Sequence, residues 1–266
     1  MSEGTGFTLT VSQNRYLARG SREVNAVVTV EADGLGAGPG QPDSVEVIIL
    51  DTSASMEWPI TKIVAARQAA MKAVDNLRDG TSFAVIAGNH AASMVYPREE
   101  RTVEAGKYTR IEAKAAIGGL STSGGTAMGT WLQLADRLFS GHRDSLRHAI
   151  LLTDGKNEHE APEDFGATLS TVAGNFVCDC RGVGTDWDPA ELRRVSSALL
   201  GTVDIIARPA GLVDDFTRVM ARAMSKAVGD VTLRVWTPQT ARVRFVKQVA
   251  PEVLDLTPLA APAGVA

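Results

Sequence analysis

Cysteine is nearly missing: two in 266 residues, Cys178 and Cys180. They lie two apart in the apolar run NFVCDCRGVG, too close for an unstrained disulfide. A disulfide-built scaffold is excluded, and the pair reads as reduced thiols in a strand. Histidine is as scarce, at 90, 142, 148 and 159 only, so neither a His/Cys metal cluster nor a Cys/His nucleophile is written in the chain. Aromatic residues make up 5%, and no basic run interleaves with them; with a net charge of −4, nothing suggests a nucleic-acid surface. No apolar stretch reaches the roughly 18 residues of a membrane span. The opening MSEGTGFTLTVSQ lacks a charged segment followed by an apolar one, so no secretory leader is expected. No G-x-x-x-x-G-K-S/T, G-x-G-x-x-G or G-x-S-x-G occurs, which argues against a nucleotide cradle and a serine-nucleophile elbow. The absences describe a chain of the reducing cytoplasm with no nucleic acid or membrane partner.

What is present is an α/β alternation. SVEVIIL (44–50) is a continuous apolar run of strand length, as a parallel sheet buried on both faces requires. A helical pattern follows through Ile60, Ile63, Val64, Ala70, Met71, Val74 and Leu77, and Gly80 stops it. TSFAVIAG and ASMVYP read as an antiparallel edge hairpin. YTRIEAKAAIGGL, AMGTWLQLADRLFSG, PEDFGATLSTVAGN, DPAELRRVSSALLG and LVDDFTRVMARAMSKA read as helices; RHAILLTDG, FVCDCRGVG and TVDIIARP read as strands. Asp188, Pro189 and Glu191 spell an N-cap, a first-turn proline and a capping-box acid. The expected fold is α/β, a doubly wound, mostly parallel sheet flanked by helices. The flanks instead alternate with period two: Phe7, Leu9, Val11, Val24, Ala26, Val28 and Val30 at one end, Val231, Leu233, Val235, Val243 and Phe245 at the other. This predicts a small antiparallel β-unit built from both ends. The expected division is 1–43 for N-terminal strands and a Gly/Pro linker, 44–228 for the α/β domain, 229–252 for C-terminal strands and 253–266 for a flexible tail.

The carboxyl ends of the strands carry the chemistry. VIILDTSASM runs a buried strand into Asp51, Ser53 and Ser55. Asp154 ends a second strand in LLTDG, and STSGGTAMG brings Thr126 to the start of a helix. In a doubly wound sheet ligands bind at this edge. Two carboxylates and three hydroxyls, with no nitrogen or sulfur, suit a hard divalent ion, Mg²⁺ or Mn²⁺. The competing reading makes Ser53 and Ser55 ordinary helix caps. The run DGKNEHE (154–160) reads as a solvated polar loop, and Trp58 and Trp187 as loop rings that either frame the site or pack on the sheet edge.

The D-x-S-x-S stretch, the loop threonine and the loop aspartate, in this order on these elements, resemble the von Willebrand factor A domain over residues 44–228. The match is to its metal-ion-dependent adhesion site. The resemblance implies that the Ser53, Ser55 and Thr126 hydroxyls contact the ion, that Asp51 and Asp154 do so directly or through water, and that one position stays open. Neutral hydroxyl ligands leave the ion electrophilic, so an Asp or Glu of a protein partner is the natural sixth ligand. Intracellular bacterial relatives imply a scaffold linked with AAA+ ATPases or with kinase and phosphatase partners. No enzymatic activity is expected. The alternative is a metal-dependent phosphoesterase using Asp51 and Asp154, and discriminating it requires a placed general base that the sequence does not couple to these loops.

Overall fold

The computed structural model describes residues 6–33, 43–184, 189–225, 233–238, 240–249 and 253–257. These fall into two compact units, taken here separately. In the first, strands β1 (Gly6–Gln13) and β2 (Ala26–Asp33) pair antiparallel, with Leu9 opposite Val30 and Val11 opposite Val28.

The second unit begins with β3 (Ser44–Asp51), buried along its whole length. A strand buried on both sides needs helices on both faces. Ile48 and Leu50 enter one apolar core, and Val45, Val47 and Ile49 enter the other. The first core is closed by α1 (Thr61–Asn76), α2 (Lys107–Gly118) and α6 (Leu212–Ser225). Ala66, Ala69, Ala70 and Ala73 give α1 a small-residue face, which lets it settle close to the sheet. The second core is closed by α3 (Met128–Phe139), α4 (Pro162–Val172) and α5 (Pro189–Ala198). On α3, Met128, Trp131, Leu132, Ala135 and Phe139 repeat at helical spacing and are all buried.

The remaining strands are β4 (Ser82–Gly88), β5 (Ala92–Tyr96), β6 (Val103–Glu104), β7 (Leu146–Thr153), β8 (Val177–Val183) and β9 (Val203–Ile206). Their order is β5-β4-β3-β7-β8-β9, with β6 pairing β4. β3, β4, β7, β8 and β9 run parallel, and β5 turns back antiparallel on β4 as the expected edge hairpin. The chain runs outward from β3 to β4 and β5, then returns to lay β7 on the other side of β3. The strand order therefore reverses between β3 and β7. Asp51 and Asp154 stand at that reversal.

The C-terminal stretch departs from expectation. Residues 233–238 and 241–246 carry no strand; among the described residues of this stretch only β10 (Lys247–Gln248) pairs, with β11 (Leu254–Asp255), and Val231 lies outside them. Alternation is necessary for a strand but does not supply a partner edge. Leu233, Val235, Val243 and Phe245 lie exposed, and among the described residues no pairing joins the two ends of the chain. The expected cap Asp188 lies outside the described residues. Glu191 accepts the Asn157 backbone N–H at 2.9 Å.

Candidate metal centre

Three loops build the site. The first leaves β3 at Asp51 and makes a single 3₁₀ turn over Ala54–Glu57. The second, residues 120–127, leads into α3. The third, residues 154–161, joins β7 to α4. Backbone hydrogen bonds hold the first two together: Ala54 N–H donates to Gly124 O at 3.0 Å and Ser123 N–H to Thr52 O at 2.8 Å. Gly124, at φ +73°, takes the left-handed conformation that brings its carbonyl to Ala54.

The serines do not cap. Ser53 flanks the 3₁₀ turn without a side-chain cap bond, and the residue before α1, Ile60, has none to offer. Instead Ser53 Oγ lies 2.9 Å from Ser55 Oγ, and Ser55 Oγ donates to Asp154 Oδ1 at 2.7 Å. The helix-cap reading is thereby set aside. Asp51 Oδ1 accepts the Ser53 backbone N–H at 2.7 Å, and Thr153 Oγ1 donates to Asp51 Oδ2. Thr126 Oγ1 comes in from the second loop. Its convergence with the others is fixed at Gly155, where a Cβ would lie 3.3 Å from Thr126 Oγ1, 3.5 Å from Ser55 Oγ and 3.9 Å from Asp51 Oδ2. One point on the third loop, left bare by a glycine, thus faces oxygens from the other two.

Asp51, Ser53, Thr126 and Asp154 are buried, while Ser55 is exposed at the mouth of an open cleft of about 340 Å³. Burial pushes the Asp51 carboxyl up to about 6, against hydrogen bonds from Ser53 and Thr153 that favour its charge. Two carboxylates and three hydroxyls, bonded to one another or converging beside Gly155, form a set that a hard divalent cation fits.

Several residues that the sequence left aside hold this geometry. Lys62, from the first turn of α1, places its ammonium 2.5 Å from Asp154 Oδ2. The loop 154–160 is not merely solvated. Asn157, buried, accepts the Met128 N–H at 2.7 Å, and Glu160 accepts the Gly129 N–H at 2.9 Å and the Asn157 amide at 3.0 Å. His159 Nδ1 accepts the Thr126 N–H at 3.2 Å, and a Cβ on Gly125 would strike the His159 ring. These groups cap the amino end of α3 and so fix Thr126. Their only signal in sequence is the proximity of polar residues to Asp154. His90 packs on Gly124, His142 bonds to Thr102, and His148 lies at the opposite half of the sheet between Glu46 and Asp179. Trp58 is 79% exposed on the first loop, so it does not pack on the sheet edge. Trp187 lies outside the described residues.

A doubly wound sheet with an oxygen-lined reversal point defines an α/β ligand-binding class. The model of the von Willebrand factor type A domain matches residues 46–205, more than half of the chain, and the protein belongs to that family. A solved von Willebrand factor type A protein from Catenulispora acidiphila is 47% identical, with a TM-score of 0.92 over 97% of this chain and 59% of its own. An uncharacterised protein of Synechocystis is 30% identical over 79% of this chain. The chain spans about half the length, 49%, of that curated relative. A mussel byssus thread matrix protein solved with a zinc-occupied adhesion motif shares the fold at 22% identity and a TM-score of 0.52. Among the described residues no helix is long and apolar enough to cross a membrane.

Proposed function

We propose that the protein is a non-enzymatic binding module of the cytoplasm. It holds Mg²⁺ or Mn²⁺ through Ser53, Ser55 and Thr126, with Asp51 and Asp154 as direct or water-mediated ligands. It engages an Asp or Glu side chain of a protein partner. The observation that carries this reading is the convergence of Asp51, Ser55 and Thr126 oxygens on the bare Gly155 position, with Ser55 bonded to Asp154 and both serines turned away from capping. The ion would supply a fixed positive charge with an unfilled coordination position, which a carboxylate completes as a charge-assisted contact. Exposed Trp58 stands on the same loop as Ser53 and Ser55 and offers a large contact beside the cleft. Family analogy adds an AAA+ ATPase or a kinase or phosphatase as the partner class, within a bacterial stress or signalling assembly.

Capture of partners from source-cell lysate, with and without EDTA and with Asp51→Ala, tests the reading. Recovery of the same partner that is lost under both treatments supports it. Capture indifferent to both contradicts it. So does phosphoester turnover by the wild type that Asp51→Ala abolishes, which would favour the hydrolase.

A further inference from the structure

Lys62 is a costly residue where it stands. It is 5% exposed, and it lies in the first turn of α1, where the helix dipole repels a cation. Side chains of a first turn point back toward the helix start, and so Lys62 reaches the strand edge. There its ammonium donates to Asp154 Oδ2 at 2.5 Å, while Ser55 donates to Oδ1 at 2.7 Å. The stem passes beside Gly184, just after β8, where a Cβ would make ordinary contact with Lys62 Cε at 3.5 Å.

From this placement we infer that Lys62 sets the charge of the metal centre and thereby its preference for an anionic partner group. Two buried carboxylates and one buried ammonium leave the empty pocket one negative charge. Loaded with a divalent ion, the pocket carries one positive charge, which a partner carboxylate cancels. Without Lys62 the loaded pocket would be neutral, and an incoming carboxylate would meet no net attraction. The exposed rim does not alter this balance, because Lys156 and Glu158 oppose each other and are screened by water. Lys62 thus acts as a positioning and charge-setting residue. It weakens the hold on the cation and strengthens the hold on the partner's acid. The inference rests on the metal reading above and concerns the specificity of that same site.

The test compares wild type, Lys62→Met and Lys62→Arg by calorimetry, first with Mn²⁺ alone and then with acetate on the Mn²⁺-loaded proteins. Lys62→Met should bind Mn²⁺ more tightly by on the order of tenfold, and acetate several-fold more weakly; Lys62→Arg should follow the wild type. Should Lys62→Met not fold, Lys62→Gln keeps a hydrogen-bond donor to Asp154 and carries the same comparison. Wild type that binds Mn²⁺ while the uncharged variant binds it no more tightly, or binds acetate equally well, overturns the role of Lys62 and leaves the metal centre standing. Wild type that ignores Mn²⁺ overturns both.

Discussion

At Asp51 stability and function pull in opposite directions. Its folded carboxyl titrates at about 6 against an ordinary 3.8, because burial disfavours the charge more than the Ser53 and Thr153 hydrogen bonds favour it. A carboxyl raised in the folded state contributes stability at low pH and loses it as pH rises through the folded value. The metal-free protein should therefore be most stable below about pH 4 as far as this group is concerned, and should lose that increment between about pH 4 and 6. Asp51→Asn should accordingly raise the metal-free stability at pH 7 by about 1–3 kcal/mol, measured by urea unfolding, while abolishing stabilisation by Mn²⁺. A metal-free Asp51→Asn less stable than wild type would contradict this. Asp51, Ser53, Ser55, Thr126 and Asp154 were legible in sequence because each follows a buried strand or precedes a helix in a recognisable order. Lys62 was not, since its ammonium meets Asp154 only after a 92-residue separation closes.

Elements place the residues. The amino end of α3 fixes Thr126, and that end is capped from a different loop by Asn157 and Glu160. Removing the Asn157 carbonyl leaves the buried Met128 N–H unsatisfied. Asn157→Ala should cost about 1–3 kcal/mol in urea unfolding and weaken Mn²⁺ binding as well, because Thr126 moves with the helix start. An unchanged midpoint would show that the cap does not hold the helix start. Such caps are hard to read from sequence, because donor and acceptor belong to segments about 30 residues apart. The strand and helix alternation itself was readable, since a run such as VEVIIL must be buried on both faces. The alternation in 233–238 and 241–246 misled, because a period-two pattern states which face would be apolar and not whether an edge exists to pair with. The two-residue β6 carries too little pattern to be noticed.

Across the sheet, charge is buried at several places with different consequences. Away from the metal centre, His148 bridges Glu46 at 2.8 Å and Asp179 at 3.2 Å, all three buried. Burial alone would lower the imidazole's affinity for a proton. The two carboxylates outweigh it and push His148 up to about 9 from 6.5, while Asp179 is held well below the usual carboxylate range. A histidine raised in the folded state stabilises fully below its unfolded value and loses that contribution as pH rises through the folded one. Stability should thus fall by on the order of 3 kcal/mol between about pH 6.5 and 9, a decline that His148→Gln removes. A flat urea profile over that range would refute it. The charge at the β3–β7 reversal differs in opening onto the cleft, where Asp154 lies with Ser53, Ser55 and Thr126, and is suited to a cation. Titration calorimetry of the wild type and Gly155→Ala with Mn²⁺ tests this most directly, since the added methyl would sit 3.3 Å from Thr126 Oγ1 and 3.5 Å from Ser55 Oγ. One ion bound per wild-type chain, with binding weakened by on the order of tenfold or more in a Gly155→Ala protein that still folds, is the expected result. A wild type that takes up no Mn²⁺, or a Gly155→Ala variant that binds it equally well, would contradict the account.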